Sequence, residues 1–172
     1  MAGLTGPLHT GGPVFVRTPA YIYELTVSGM KKIFQTGTSE ESLDILILFL
    51  RITLAAFMIT HGLPKFQRLL AGGEIQFGDP IGLGPTFSLI LTVFAEFFCS
   101  IFIALGLGTR LAAVPLIITM GVAAFIAHGA DPFQRKELAM LYLIFFVVLL
   151  VIGSRKYSMD YLLTERTGRK RG

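Results

Sequence analysis

The sequence predicts an all-α fold: an integral membrane up-down four-helix bundle with a Gly/Pro-rich outer loop between helices 1 and 2. Three observations predict it. Of the 172 residues, 53% are hydrophobic and only 15% are charged, whereas an average soluble domain has about 25% charged residues. The apolar residues are collected in four segments. The Lys and Arg residues cluster beside those segments, where they orient a protein in a bilayer.

The four apolar segments have nearly the length that a membrane span requires. About 20 helical residues cross a roughly 30 Å hydrocarbon layer, because each residue adds 1.5 Å. The segments cover residues 43–61, 87–107, 111–128 and 138–153. We therefore divide the chain into an N-terminal cytoplasmic extension (1–42), a four-helix transmembrane domain (43–153) and a basic cytoplasmic tail (154–172).

Two questions about the N-terminal extension stay open at this point. No charged start followed by an apolar run occurs there, so we expect no secretory signal peptide. Met30 with Lys31 and Lys32 resembles a second start, so residues 1–29 are either an extension or the result of an upstream start site. Residues 21–34 form either a short amphipathic helix on the membrane or a plain surface tail.

The connections and their charges predict topology. Short links at 108–110 and 129–136 make neighbouring helices antiparallel, while the longest connection, 62–85, is rich in Gly and Pro and is a candidate lid or binding loop. The positive-inside rule places both termini in the cytoplasm. The side with more positive charge holds Arg17, Lys31, Lys32, Arg110, Arg155, Lys156, Arg166, Arg169, Lys170 and Arg171; the other holds Lys65, Arg68, Arg135 and Lys136. This distribution argues for a lipid-bilayer partner and against nucleic acid.

A short internal similarity links two helix ends. Residues 59–68 and 126–135 share Ile, His, Gly, Phe, Gln and Arg at several positions. Two helix hairpins related by an axis along the membrane normal would produce such a pattern. His61 and His128 would then lie at similar depth on the extracytoplasmic side.

Arg51 and Glu96 are the charged residues that fall near the middle of predicted spans. A charge at that depth costs about 2.5–3.5 kcal/mol on insertion scales. We expect the two side chains to form a buried pair, because an axial offset of roughly 4–5 Å is within an arginine's reach. Two interpretations stay open: a structural link between helices 1 and 2, or a proton, ion or ligand site.

A second candidate site lies at the outer helix ends, where His61, Lys65, His128 and Glu137 collect. Their spacing matches no compact metal motif, so we expect no metal site. In one interpretation each His-Gly pair only ends a helix. In the other, His and Lys bind a quinone-like or small polar ligand under the Gly-rich loop, and Phe66, Phe77 and Phe133 contact its ring.

A combination of short motifs in residues 43–163 resembles the DoxX family of small bacterial membrane proteins. The matching pieces are Leu50-Arg51, His61-Gly62-Leu63-Pro64-Lys65-Phe66, Ala95-Glu96-Phe97-Phe98, Leu105-Gly106-Leu107-Gly108-Thr109-Arg110-Leu111 and Tyr157-Ser158-Met159-Asp160. The resemblance implies a four-helix inner-membrane protein linked to quinone or sulfur redox chemistry. Some relatives are subunits of a thiosulfate:quinone oxidoreductase, and others are linked to oxidative-stress complexes or to quinone and catechol detoxification. The family has no agreed catalytic residues, so none is assigned.

The resemblance implies a redox-associated membrane subunit, at most a subunit of an oxidoreductase rather than a complete enzyme, with membrane or redox proteins as partners. A quinone is the cofactor that this hypothesis implies. The alternatives are a non-catalytic structural or assembly subunit of a larger membrane complex and a small transporter.

Overall fold

The structure, a computed structural model, describes residues 37–169. This part of the chain is helical and contains no β-strand, in agreement with the all-α expectation. Its helices are α1 (Glu40–Ala71), α2 (Pro85–Leu105), α3 (Thr109–Ala127), α4 (Phe133–Ile152) and α5 (Met159–Arg169). Among them α1, α2 and α3 are long and apolar enough to cross a membrane. The N-terminal features at residues 1–29 and 21–34 lie outside the described residues.

Helix α1 begins where the sequence supplies a cap and ends well beyond the predicted terminus. Ser39 accepts a hydrogen bond from the Ser42 amide (3.2 Å), and acidic residues occupy the first turn, which suits the positive end of a helix. The helix then continues for ten residues past His61, through Pro64, to Ala71. The predicted start of the outer loop at residue 62 is therefore wrong, and the loop covers 72–84.

A close contact between helices explains why Gly62 does not end α1. A Cβ atom on Gly62 would lie 2.8 Å from the Glu96 carbonyl carbon and 2.8 Å from the Phe97 amide nitrogen. Only glycine allows the two backbones to approach so closely. The Gly and Pro residues here resemble a helix terminus in sequence, but tertiary packing of α1 on α2 keeps the helix intact.

Helices α2 and α3 each contain a π-helical segment, at Phe94–Cys99 and Val122–Ala127 respectively. A π segment carries more residues per turn than an α-helix and rotates the side chains that follow it; such segments are frequent at functional sites. Helix α4 packs against α3 and begins at Phe133, five residues before the predicted apolar segment.

The core is formed by side chains from all four long helices. Met58, Ile103, Leu116 and Phe146, one from each of α1 to α4, are at most 1% exposed. The outward faces carry large apolar side chains in open positions, with Leu111 79% exposed and Phe49 68% exposed. A soluble protein rarely exposes so much apolar surface, so these faces suit contact with the lipid bilayer.

Candidate functional site

Arg51 is buried at one end of the bundle, but its partners are backbone carbonyls rather than Glu96. It is 1% exposed. Its Nε donates to the Ile103 carbonyl (2.9 Å) and its Nη2 to Ala104 (3.0 Å), both in the last turn of α2. Its Nη1 donates to the carbonyls of Ser154 (2.7 Å) and Tyr157 (3.0 Å). The predicted Arg51–Glu96 pair is wrong, because carbonyls at the end of α2 and after α4 hold the guanidinium and Glu96 pairs with Lys65 instead.

The surroundings of Arg51 are tightly closed. Gly106 adopts φ +67°, and a Cβ there would clash with Arg51 Nη2 and lie 2.5 Å from Ser158 Cβ. Asp160 accepts hydrogen bonds from the amides of Gly108 (2.7 Å) and Thr109 (3.3 Å) at the start of α3. The motifs around residues 105–111 and 157–160 therefore meet at one place. We call this group (Arg51, Gly106, Ser158 and Asp160) the Arg51 cluster.

An ion pair ties the segment after α4 to the start of α1. Arg155 Nε lies 2.5 Å from Asp44 Oδ1, and its guanidinium also bonds Glu40. The hydrogen bond to Asp44, followed by that to Glu40, raises the pKa of Arg155 above its ordinary value. This pair joins the beginning and end of the bundle at the same side as the Arg51 cluster.

Glu96 instead pairs with Lys65, at the opposite side of the bundle. Lys65 Nζ lies 2.6 Å from Glu96 Oε1 and 2.5 Å from Oε2. The carboxylate side chain is 5% exposed and the lysine 28%. Lys65 reaches Glu96 because α1 continues past Gly62, and Glu96 lies in the π segment of α2. Sequence reasoning placed Lys65 in a loop and therefore missed this pair.

Two cavities lie on either side of the Lys65–Glu96 pair. The larger, of about 320 Å³, extends between α2 and α3 under the outer loop. The smaller, of about 160 Å³, extends towards α4. Lys65, Glu96, Ala123 and His128 line both. The ion pair is thus part of a wall that the two cavities share, and we call this region the Lys65–Glu96 site.

The outer loop covers the larger cavity and is fixed by an aspartate. Phe77, Gly78, Pro80 and Ile81 line the cavity from above. Between them, Asp79 accepts hydrogen bonds from the amides of Leu83 (2.9 Å) and Gly84 (2.7 Å) and from Ser88 Oγ (2.8 Å). The bond from the Gly84 amide is the main reason that the pKa of Asp79 is lowered. Sequence reasoning missed Asp79, although Asp before Pro and close to Gly is a turn signal.

Three of the four outer candidates lie at the Lys65–Glu96 site. Lys65 forms the pair. His61 lines the smaller cavity, with its ring edge-on to Tyr142 at 6.1 Å between centroids. His128 lines both cavities. Glu137 is exposed on α4 and lines neither cavity.

His128 is oriented by a neighbouring carboxylate. Its Nδ1 lies 2.8 Å from Asp131 Oδ2 in the turn between α3 and α4. This hydrogen bond is the main reason that the pKa of Asp131 is lowered, and Arg135 adds to the effect. With Nδ1 engaged, Nε2 is the nitrogen left for other contacts.

The chemistry of this arrangement is that of a small polar centre with apolar walls. Lys65 supplies donors and Glu96 supplies acceptors, while Phe77, Ile81 and Leu91 offer flat or branched apolar surface. Such a cavity orients a ligand through a few polar groups. Among residues 37–169, no three His, Cys, Asp or Glu side chains are grouped so that they could hold a metal ion.

Comparison with known proteins identifies a family whose model matches this chain. The family model described as DoxX matches residues 46–129, which include Arg51, Lys65, Glu96 and His128. An uncharacterized protein of Haemophilus influenzae is 33% identical over 124 residues, which cover 66% of this chain and 87% of that relative. No solved structure matches the chain.

Proposed function

The chain belongs to the DoxX family of membrane proteins, and from that premise we propose that it binds a quinone at the Lys65–Glu96 site as the membrane subunit of a redox system. The observation that carries the proposal is the ion pair between a buried carboxylate and a partly buried lysine in the wall shared by two cavities. A pair with only a structural role has no need of open space on both sides.

The polar groups of the site complement those of a quinone. A quinone carbonyl accepts hydrogen bonds, and a quinol hydroxyl also donates them. Lys65 Nζ would donate to a ring oxygen, and the Glu96 carboxylate would accept from the hydroxyl of the reduced form. Phe77 and Ile81 would contact the ring. In this proposal a partner redox protein supplies or removes the electrons.

We also propose that α4 is the fourth span and that the four helices alternate in direction. Its 20 residues extend about 30 Å, enough to cross the hydrocarbon layer. The charged residues Arg135, Lys136 and Glu137 are all in its first turns, where they would remain at the membrane surface. The asymmetry of Lys and Arg supports the placement of residues 1–42 and 154–172 in the cytoplasm. The family resemblance implies that the membrane is the inner membrane. The Lys65–Glu96 site would then open towards the extracytoplasmic side.

Quinone binding to the protein in lipid nanodiscs tests this function. A quinone with a short tail is titrated by isothermal calorimetry into the wild type, Lys65→Met, His61→Ala and the control Lys136→Met. Lys136 is at the same end of the bundle, bonds the Gly129 carbonyl (3.2 Å) and lines neither cavity.

We expect Lys65→Met to weaken binding by more than about tenfold, equivalent to about 1.4 kcal/mol, and His61→Ala to weaken it less. Lys136→Met should bind like the wild type. Equal affinity in all four proteins, or no binding by the folded wild type, would contradict the proposal and favour the structural or assembly role.

A further inference from the structure

A third cavity lies between α2 and α3, closer to the Arg51 cluster. Its volume is about 510 Å³. Phe94, Cys99 and Phe102 line it from α2, and Leu111, Val114 and Pro115 line it from α3. The Cys99 thiol is the one side chain with a polar hydrogen among these six. We call this cavity the α2–α3 groove; its chemistry suits a hydrocarbon chain.

The groove follows directly on the Lys65–Glu96 site along α3. Leu111, Pro115, Ile118 and Val122 are spaced as i, i+4, i+7 and i+11, so they share one face of the helix. The first two line the groove, and the last two line the larger cavity. On α2, Cys99 lies three residues after Glu96, at the end of the same π-helical segment. One strip of α3 therefore connects a polar site to an apolar groove.

The groove is accessible from the side of the bundle. Leu111 is 79% exposed, and Phe94, Phe102 and Val114 are each at least 39% exposed. These faces suit contact with lipid hydrocarbon, as the other outward faces do. A molecule dissolved in the bilayer can therefore reach the groove laterally without crossing the aqueous phase.

We propose that the ligand of the Lys65–Glu96 site is an amphiphile, a quinone with a long isoprenoid tail, and that the tail lies in the α2–α3 groove. The inference rests on the proposed function and names its substrate class. The depth of the site selects the head group. Glu96 is 11 residues into α2 from Pro85, about 16 Å, where an uncharged quinone ring is tolerated and a charged phospholipid head group is costly.

Narrowing the groove tests the placement of the tail. Val114→Trp puts a large ring into the groove. Val147→Trp on α4 is the matched control, because Val147 is 39% exposed, close to the 40% of Val114, and lines none of the three cavities. Binding of a long-tailed quinone and of its short-tailed analogue is measured for both variants and the wild type in nanodiscs, after gel filtration confirms folding.

The wild type should bind the long-tailed quinone at least tenfold more tightly than the short-tailed one. Val114→Trp should remove that difference and leave the short-tailed affinity unchanged, whereas Val147→Trp should change neither. If Val114→Trp leaves both affinities unchanged, a bilayer acyl chain rather than the quinone tail occupies the groove, and the inference is overturned while the head site stands. If neither quinone binds the wild type, the proposed function and the inference fall together.

A photoreactive group at the end of the isoprenoid tail gives a second readout, which does not depend on a folded variant. Cross-linking to wild-type protein, followed by peptide mass spectrometry, should label residues 111–115. Labelling confined to the outer loop, or spread evenly over all lipid-facing helices, would overturn the placement.

Discussion

Arg51 and Glu96 are both buried charges in apolar helices, yet their surroundings differ completely. Arg51 is held by four backbone carbonyls in a closed cluster where even a methyl group on Gly106 would not fit. Glu96 has one cationic partner, Lys65, and cavities on both sides. Burial of a charge is therefore not enough to identify a ligand site; the free space around it distinguishes the two.

The difference also extends to the backbone. At the Arg51 cluster the chain ends α2 and starts α3, and the guanidinium donates to two carbonyls in the last turn of α2 and to two carbonyls after α4. At the Lys65–Glu96 site both α2 and α3 adopt π-helical geometry, which is common at functional positions. The first region stabilises the fold, and we propose that the second binds the ligand.

The largest effect on stability should follow from Arg51→Met. The change removes a donor from four carbonyls. The Ile103 carbonyl keeps the Gly106 amide as a donor (3.1 Å), and each buried carbonyl left unsatisfied costs about 1–3 kcal/mol. We expect a loss of at least about 3 kcal/mol of the free energy of unfolding, seen as a sharply lower melting temperature or aggregation in detergent. Arg110→Met is the control, because Arg110 is exposed and bonds one carbonyl, that of Val151. Equal melting of Arg51→Met and wild type would show that the cluster does not stabilise the fold.

A smaller effect should follow from Gly62→Ala. Its Cβ would meet the backbone of Glu96 and Phe97 at 2.8 Å, so α1 and α2 must separate, at a cost of about 1–3 kcal/mol. The separation should also lower quinone affinity, since it moves Lys65 relative to Glu96. Gly121→Ala is the matched control: its nearest contact is Leu143 Cδ1 at 3.7 Å. Both melting temperature and affinity should remain unchanged in the control, and a neutral Gly62→Ala would argue against the close helix contact.

The smallest effect should be on the pH dependence of stability that comes from Asp131. Its hydrogen bond with His128 lowers the pKa of the folded-state carboxyl below the ordinary value of about 3.9. The stability from this contact is therefore present above that ordinary value and is lost as pH falls through the lowered one. Between pH 6 and pH 3 the melting temperature of the wild type should fall slightly more than that of Asp131→Asn. The exposed Glu137→Gln should behave like the wild type; parallel curves for Asp131→Asn would contradict the assignment.

The sequence carried enough information to predict the helical fold, the burial of Arg51 and Glu96 and the grouping of His61, Lys65 and His128. It did not reveal which charges pair. Gly62 and Pro64 normally mark a helix end, so the sequence predicts a loop at Lys65. The close packing of α1 on α2, which keeps α1 helical, depends on residues more than 30 positions apart. The π segments shift the side chains of α2 in a way that helical periodicity does not anticipate.

The double variant Lys65→Met with Glu96→Leu tests most directly whether the Lys65–Glu96 site is a ligand site. Replacing a buried ion pair by apolar residues of similar volume is often neutral or stabilising. The free energy of unfolding of the double variant should therefore be no more than about 1 kcal/mol below that of the wild type. Binding of the long-tailed quinone in nanodiscs should weaken by more than about tenfold. A folded double variant that binds the quinone as tightly as the wild type would contradict the account.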